Sequence, residues 1–229
     1  NTIKTLALAL ALGLILLLLG PFFILQEGEL AVVVRFGKII RSETEAGLKV
    51  KVPFLDSVMA FPKKIQSWDG EAQRFPTQEN QFIWVDTTAR WRIADLKKFY
   101  ETMGSIPQAQ SRLDDVIDST VRRVIANSLL REAIRNSNVI NEIARHNVFA
   151  QEDSDSDGNP VDTSIISTFT QTRYPEISQG RIKLSNLMLS EARAITPQYG
   201  IDLIDIVIRQ IKYSDDLTES VYNRMIKER

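Results

Sequence analysis

The chain opens on an unbroken apolar stretch and then changes its hydrophobic period twice. From Thr5 to Leu25 there is no charge, and Leu, Ala, Ile and Phe fill nearly every place. About 20 apolar residues rising 1.5 Å each cross the ~30 Å core of a bilayer, where a helix satisfies its own backbone. The stretch exceeds the roughly 7–15 apolar residues of a signal peptide, and no small-x-small cleavage site follows Leu25. It predicts a retained transmembrane helix within 1–26, with Gly20-Pro21 kinking it near its end. Lys4 precedes the span while Arg35, Lys38 and Arg41 follow it. A literal positive-inside count puts the bulk in the cytoplasm, but folded domains translocate largely regardless of such charges, so orientation stays open.

After residue 27 the pattern shortens to strands. "GELAVVVRFGKII", "AGLKVKVPFLDSV" and "VMAFPKKIQSW" carry partial alternation with Val and Ile enrichment. "QFIWVDTTARWRI" is the clearest: Ile83, Val85, Thr87, Ala89, Trp91 and Ile93 fall on one face. Residues 27–94 therefore predict a small antiparallel or mixed sheet.

The period then becomes helical. "ADLKKFYETM" predicts a short helix from near Asp95. Leu113, Val116, Ile117, Thr120 and Val124 mark one face of a longer one, with Pro107 in its first turn. "REAIRNSNVINEIARHNVFA" continues as helix after a break around Asn136–Asn138, and "RIKLSNLMLSEARAIT" is a third helical segment ending before Pro197. "IDLIDIVIRQIKYS" returns as a strand. Strict alternation there puts Leu203, Asp205, Val207 and Arg209 on one side and Ile204, Ile206 and Ile208 on the other. The expected fold class is α+β: an anchor (1–26), a strand-rich subdomain (27–94), and a helical subdomain with a returning strand (95–213).

A final helix is expected to begin within 214–229. Ser214, Asp215 and Asp216 suit its N-terminus, and Leu217, Val221 and Met225 step by four along one stripe beside Tyr222. A one-stripe helix of about 15 residues is marginal alone. It is expected to pack on a neighbour or to continue in a longer chain.

Composition removes several functions. In 229 residues, 28 Lys and Arg stand against 29 Asp and Glu, a balance that argues against nucleic-acid binding. With no cysteine and one histidine, there is no thiolate nucleophile, Cys-ligated zinc or His-pair metal site. No nucleophile elbow, S-x-x-K dyad or phosphate-binding glycine loop occurs. Within an acidic loop at 151–180, Asp153, Asp155, Asp157 and Gly158 match half of a calcium loop. The pattern fails at Ser164, where a bidentate Glu is needed, and Pro160 stiffens the turn, so a solvated loop without metal is the better reading. No cofactor and no catalytic group are expected. A hydrolase built on carboxylates such as Asp114 or Asp205 is the weakest of the competing readings.

Four segments then show a resemblance. "ELAVVVRFGKII", "AGLKVKVPFLDSV", "VDTTARWRIADLKKFY" and above all "YGIDLIDIVIRQIKYSDDLTESVYNRMIKER" resemble the stomatin/prohibitin/flotillin/HflK-HflC (SPFH, or band 7) family, with the HflK-HflC branch nearest. The likeness covers the anchor and nearly all the rest, and is weakest across 151–180. Ala46-Gly47-Leu48 stands where that branch usually has Pro-Gly-Leu, leaving a less rigid turn. The resemblance implies a bacterial inner-membrane protein with a cytoplasmic N-terminus and a periplasmic bulk. It implies assembly with HflK-like subunits and further copies into a membrane-seated ring or cage, walled by a C-terminal coiled coil starting with Leu217, Val221, Tyr222 and Met225. Such a cage surrounds an FtsH-like AAA+ protease and modulates it. The resemblance also places Val52, Phe54 and Leu55 against membrane lipid. The alternative is a homo-oligomeric organiser of membrane microdomains, of the stomatin or flotillin kind, with no protease partner.

Overall fold

The computed structural model describes residues 20–139, 175–214 and Thr218. Nine strands and four helices occupy them, in chain order β1 (Phe22–Leu25), β2 (Glu29–Arg35), β3 (Lys38–Glu43), β4 (Gly47–Val50), β5 (Asp56–Pro62), β6 (Gln66–Asp69), β7 (Gln73–Pro76), β8 (Phe82–Ile93), α1 (Leu96–Thr102), α2 (Ile106–Ala126), α3 (Leu130–Ile134), α4 (Gly180–Ile195) and β9 (Ile201–Tyr213). A 3-10 turn, Thr196–Tyr199, carries Pro197 between α4 and β9. The α+β expectation holds. Two compact units divide these elements. The first takes its described residues from Asn1–Gly70, Thr88–Ser119 and Leu189–Ile206; the second takes them from Glu71–Thr87, Thr120–Met188 and Val207–Arg229.

In the first unit β3, β2 and β5 form an antiparallel sheet, and β1 pairs with β4 in a two-stranded ribbon. Leu30 through Val34 are all buried. A continuous apolar run of that kind belongs to a strand covered on both faces, which is why its alternation is weak in the sequence. β6 pairs with the second half of β8, from Gln66 opposite Trp91 to Asp69 opposite Thr88. An aromatic knot joins strand to helix: Phe99 of α1 meets Phe61 edge-on at 5.5 Å and stacks on Trp91 at 6.3 Å. Asp95 caps α1 by accepting the Lys98 N–H at 3.0 Å, where the sequence placed the helix start.

In the second unit β7 pairs with the first half of β8, from Gln73 opposite Val85 to Pro76 opposite Phe82. Phe75, Ile83, Val85, Val124, Ile125, Leu184, Met188 and Ile208 are buried there. Glu132 of α3 ties down the N-terminus of α4. Its carboxylate accepts the backbone N–H groups of Ser178 (2.7 Å), Gln179 (2.8 Å) and Gly180 (2.7 Å), and the Ser178 hydroxyl at 3.2 Å.

Several expectations are corrected. Phe22–Leu25 does not extend a helix; it is β1. Gly20 adopts a left-handed φ of 67°, Pro21 lacks an N–H, and β4 supplies the hydrogen bonds that lipid cannot. The predicted helix up to residue 19 lies outside the described residues, and among those described no helix is long and apolar enough to cross a membrane. "GELAVVVRFGKII" is a hairpin of two strands, turning at Phe36-Gly37. β7 had no reading in the sequence. In β9, Leu203 lies on the buried side with Ile206 and Ile208, while Ile204 and Asp205 are both half-exposed. The strict period slips by one residue there, as a bulge makes it do. Asp205 lies at the slip, and its side chain accepts the Arg90 N–H at 3.1 Å.

Candidate functional site

One end of the first unit is apolar where a folded surface is normally polar. In the β1–β4 ribbon Phe22 lies opposite Val50 and Ile24 opposite Leu48, so all four project from one face. Each is at least half exposed. The chain leaves β4 into the segment 51–55, where Val52 and Leu55 are exposed and Phe54, at 89% exposure, is almost wholly outside the fold. Phe54 also holds a left-handed φ of 64°, uncommon for a bulky residue. Scattered exposed hydrophobics need no explanation; a contiguous set of this kind marks a contact surface.

Asp56 builds the turn that carries Phe54. Its carboxylate accepts the Val52 N–H at 2.8 Å, and its own N–H donates to the Val52 carbonyl at 3.0 Å. Arg35, opposite Asp56 in the β2–β5 pair, donates to both oxygens, at 2.7 and 3.2 Å. The Arg35 guanidinium and then the Val52 N–H hold the Asp56 carboxyl below its ordinary range, and Asp56 raises Arg35 in return. Beside this turn Glu43 pairs with Arg41 and Lys49, each at 3.0 Å, and the Arg41 guanidinium donates to the Val50 carbonyl. The Lys51 N–H donates to the Pro21 carbonyl at 2.6 Å. The apolar loop is thus fastened directly to the point where the chain arrives from residues 1–19.

Val52, Phe54 and Leu55, singled out in the sequence, come together at this end. Phe22, Ile24, Leu48 and Val50 escaped sequence reasoning, although the facing "FFIL" and "GLKV" segments carried the signal once paired. Leu217, Val221, Tyr222 and Met225 lie outside the described residues, as do Asp153, Asp155 and Asp157. At the edge of that C-terminal region the Thr218 N–H donates to the Ser214 carbonyl at 3.0 Å, one helical turn.

The carboxylates considered for hydrolysis have structural partners. Asp114 accepts the Trp68 indole N–H at 2.5 Å. Asp205 is gripped by the Arg90 guanidinium, whose hydrogen bonds hold its carboxyl below the ordinary range. Among the described residues no three Asp, Glu or His side chains come together as a metal site. Trp68 and Trp91 are core residues, whereas Trp84 is partly exposed on the outer face of β8. The same unit as the apolar end has an open groove of about 660 Å³ lined by Phe36, Met59, Tyr100 and Glu101.

Small antiparallel sheets, flanking helices and an exposed apolar end are the features that any family assignment has to accommodate. The SPFH domain / Band 7 family matches residues 23–229, and the chain belongs to that family. It is 41% identical over 213 residues to Protein HflC of Treponema pallidum, covering 93% of this chain and 62% of that one. It is 40% identical over 232 residues to Protein HflC of Borreliella burgdorferi, covering all of this chain and 67% of that one. A more distant relative, 27% identical over 235 residues (97% of this chain and 68% of that protein), is named Modulator of FtsH protease HflC in Escherichia coli. The chain therefore spans about two thirds or slightly less of the curated relatives it matches.

Proposed function

We propose that the protein is a membrane-seated scaffold of the HflC kind, which assembles with HflK-like subunits into a ring or cage and modulates an FtsH-like protease without chemistry of its own. The observation that carries this reading is the apolar end of the first unit. Val52, Phe54 and Leu55 form a surface suited to lipid, fastened to the chain where the oily N-terminal stretch delivers it. The relatives supply the protease: one of them is named as a modulator of FtsH. In this reading residues 1–26 anchor the chain with a cytoplasmic N-terminus, the strand-rich part 27–94 meets the periplasmic face of the membrane, and 95–213 forms the second, helical subdomain. Leu217, Val221, Tyr222 and Met225 begin a coiled-coil wall that excludes or admits membrane-protein substrates by contact area.

The test is turnover. Cells lacking the protein are expected to degrade membrane-embedded substrates of the FtsH-like protease at a changed rate in pulse-chase, with cytoplasmic turnover less affected. The change should be restored by the intact chain and not by one lacking residues 214–229. Unaltered turnover of every membrane substrate would favour the microdomain organiser instead.

A further inference from the structure

Phe36 is the second most exposed aromatic residue among those described, at 86%. It sits in the β2–β3 turn with a left-handed φ of 47°, beside Gly37 at 81°. A bulky side chain in that conformation gains nothing for the fold by facing water. Its position in the sheet gives it a second meaning. β2 and β5 run antiparallel with Arg35 opposite Asp56, so the turn that follows β2 and the loop that precedes β5 emerge at the same end. Phe36 directly follows Arg35; Phe54 lies two residues before Asp56. The bidentate Arg35–Asp56 pair is therefore the crosspiece between the two outstanding phenylalanines.

We propose that Phe36 is a second lipid-contacting tip, fastened to the Phe54 tip by the Arg35–Asp56 pair so that both turns meet one bilayer surface together. This rests on the membrane-facing reading of the 51–55 loop. A bilayer is the occupant because of what adjoins the tips. The chain arrives at this end from its apolar stretch through Pro21, held by the Lys51 N–H. Lys38 directly follows the Phe36-Gly37 turn and Lys51 lies three residues before Phe54, and cationic side chains flanking the tips suit anionic headgroups. Asp56 and Arg35 act as positioning residues: neither reaches lipid, and their pairing sets how the tips are presented.

The chain has no cysteine, so single nitroxide labels can be introduced at Phe36→Cys or Phe54→Cys without background. The full chain is reconstituted in vesicles of phosphatidylethanolamine and phosphatidylglycerol, and relaxation by oxygen is compared with relaxation by an aqueous nickel chelate. Both labels are expected to favour oxygen, and Asp56→Asn is expected to reduce that preference at both while circular dichroism is unchanged. Oxygen preference at 54 with nickel preference at 36 overturns the second tip and leaves the loop reading standing. Nickel preference at both overturns the two together. Exclusion of both reagents at 36 shows that protein, such as residues 1–19 or a ligand of the Phe36–Tyr100 groove, covers it, and also overturns the proposal. Unchanged preferences in Asp56→Asn overturn the fastening.

Discussion

Glu132 has a side chain that burial alone would discharge, yet it is surrounded by donors. Desolvation pushes its carboxyl upward, and the hydrogen bonds from Ser178, Gly180 and Gln179 outweigh that and bring it below its ordinary value. Glu132→Ala removes the acceptor and strands three N–H groups at the start of α4. A loss of about 2–4 kcal/mol is expected in urea unfolding, because unmet buried donors cost more than the bond returns. A loss below about 0.5 kcal/mol would mean that water replaces the carboxylate freely. No sequence pattern announced this contact: the two partners lie 46 to 48 residues apart, and Glu132 reads as an ordinary polar position in "REAI". The buried face of β8 was legible, by contrast, because a period of two needs only local information. Ile83, Val85, Thr87, Ala89, Trp91 and Ile93 are all buried.

At the scale of elements, the closure between β9 and α1 depends on one glycine. Gly200 has a φ of 70°, and a Cβ added there would stand 2.4 Å from the Asp95 carbonyl oxygen and 2.7 Å from the Phe99 nitrogen. Its own carbonyl accepts the N–H groups of Ala94 and Asp95. Gly37 is a natural control, with a φ of 81° and no atom within 4 Å of the added Cβ. Gly37→Ala is expected to cost about 1 kcal/mol from conformation alone. Gly200→Ala should cost clearly more, since backbone must move as well; equal losses in thermal melts would contradict the close approach. The "Y-G-I" motif was conspicuous in the sequence, but the reason for its glycine, contact with a helix 100 residues earlier, was not. The Asp95 cap and the end of α4 before Pro197 were readable from local residues, whereas the break between α2 and α3 at 127–129 was not. The β1 strand and the β9 slip were not readable either, because the first depends on pairing with the distant β4 and the second lies where Asp205 meets Arg90, 115 residues away.

The same elements carry a pH dependence. Asp56, Asp205 and Glu132 all have folded-state carboxyls below their ordinary values. Each therefore contributes stability that is complete above the unfolded pKa near ~4 and is lost as pH falls through the lower folded value. Stability is expected to be flat with respect to these groups from neutral pH down to about 5 and to fall below about 4. Acid titration followed by tryptophan fluorescence checks this, and Asp56→Asn should shrink the acid-dependent loss. A steep fall between pH 6 and 7 would contradict this assignment to carboxylates.

On the scale of the whole molecule, the proposed reading is of a protein that acts through attachment and assembly, and the apolar end, the family membership and a relative named for a protease support it. The oily N-terminal pattern and the absence of familiar catalytic motifs were plain in the sequence, whereas the face shared by Phe22, Ile24, Leu48 and Val50 became visible only when two distant strands paired. The most direct measurement is electron microscopy of the protein extracted from its native membrane in mild detergent and isolated by a tag on this chain. The account predicts a closed, megadalton-scale particle that contains HflK-like and FtsH-like chains; a free single subunit under the same extraction would contradict it.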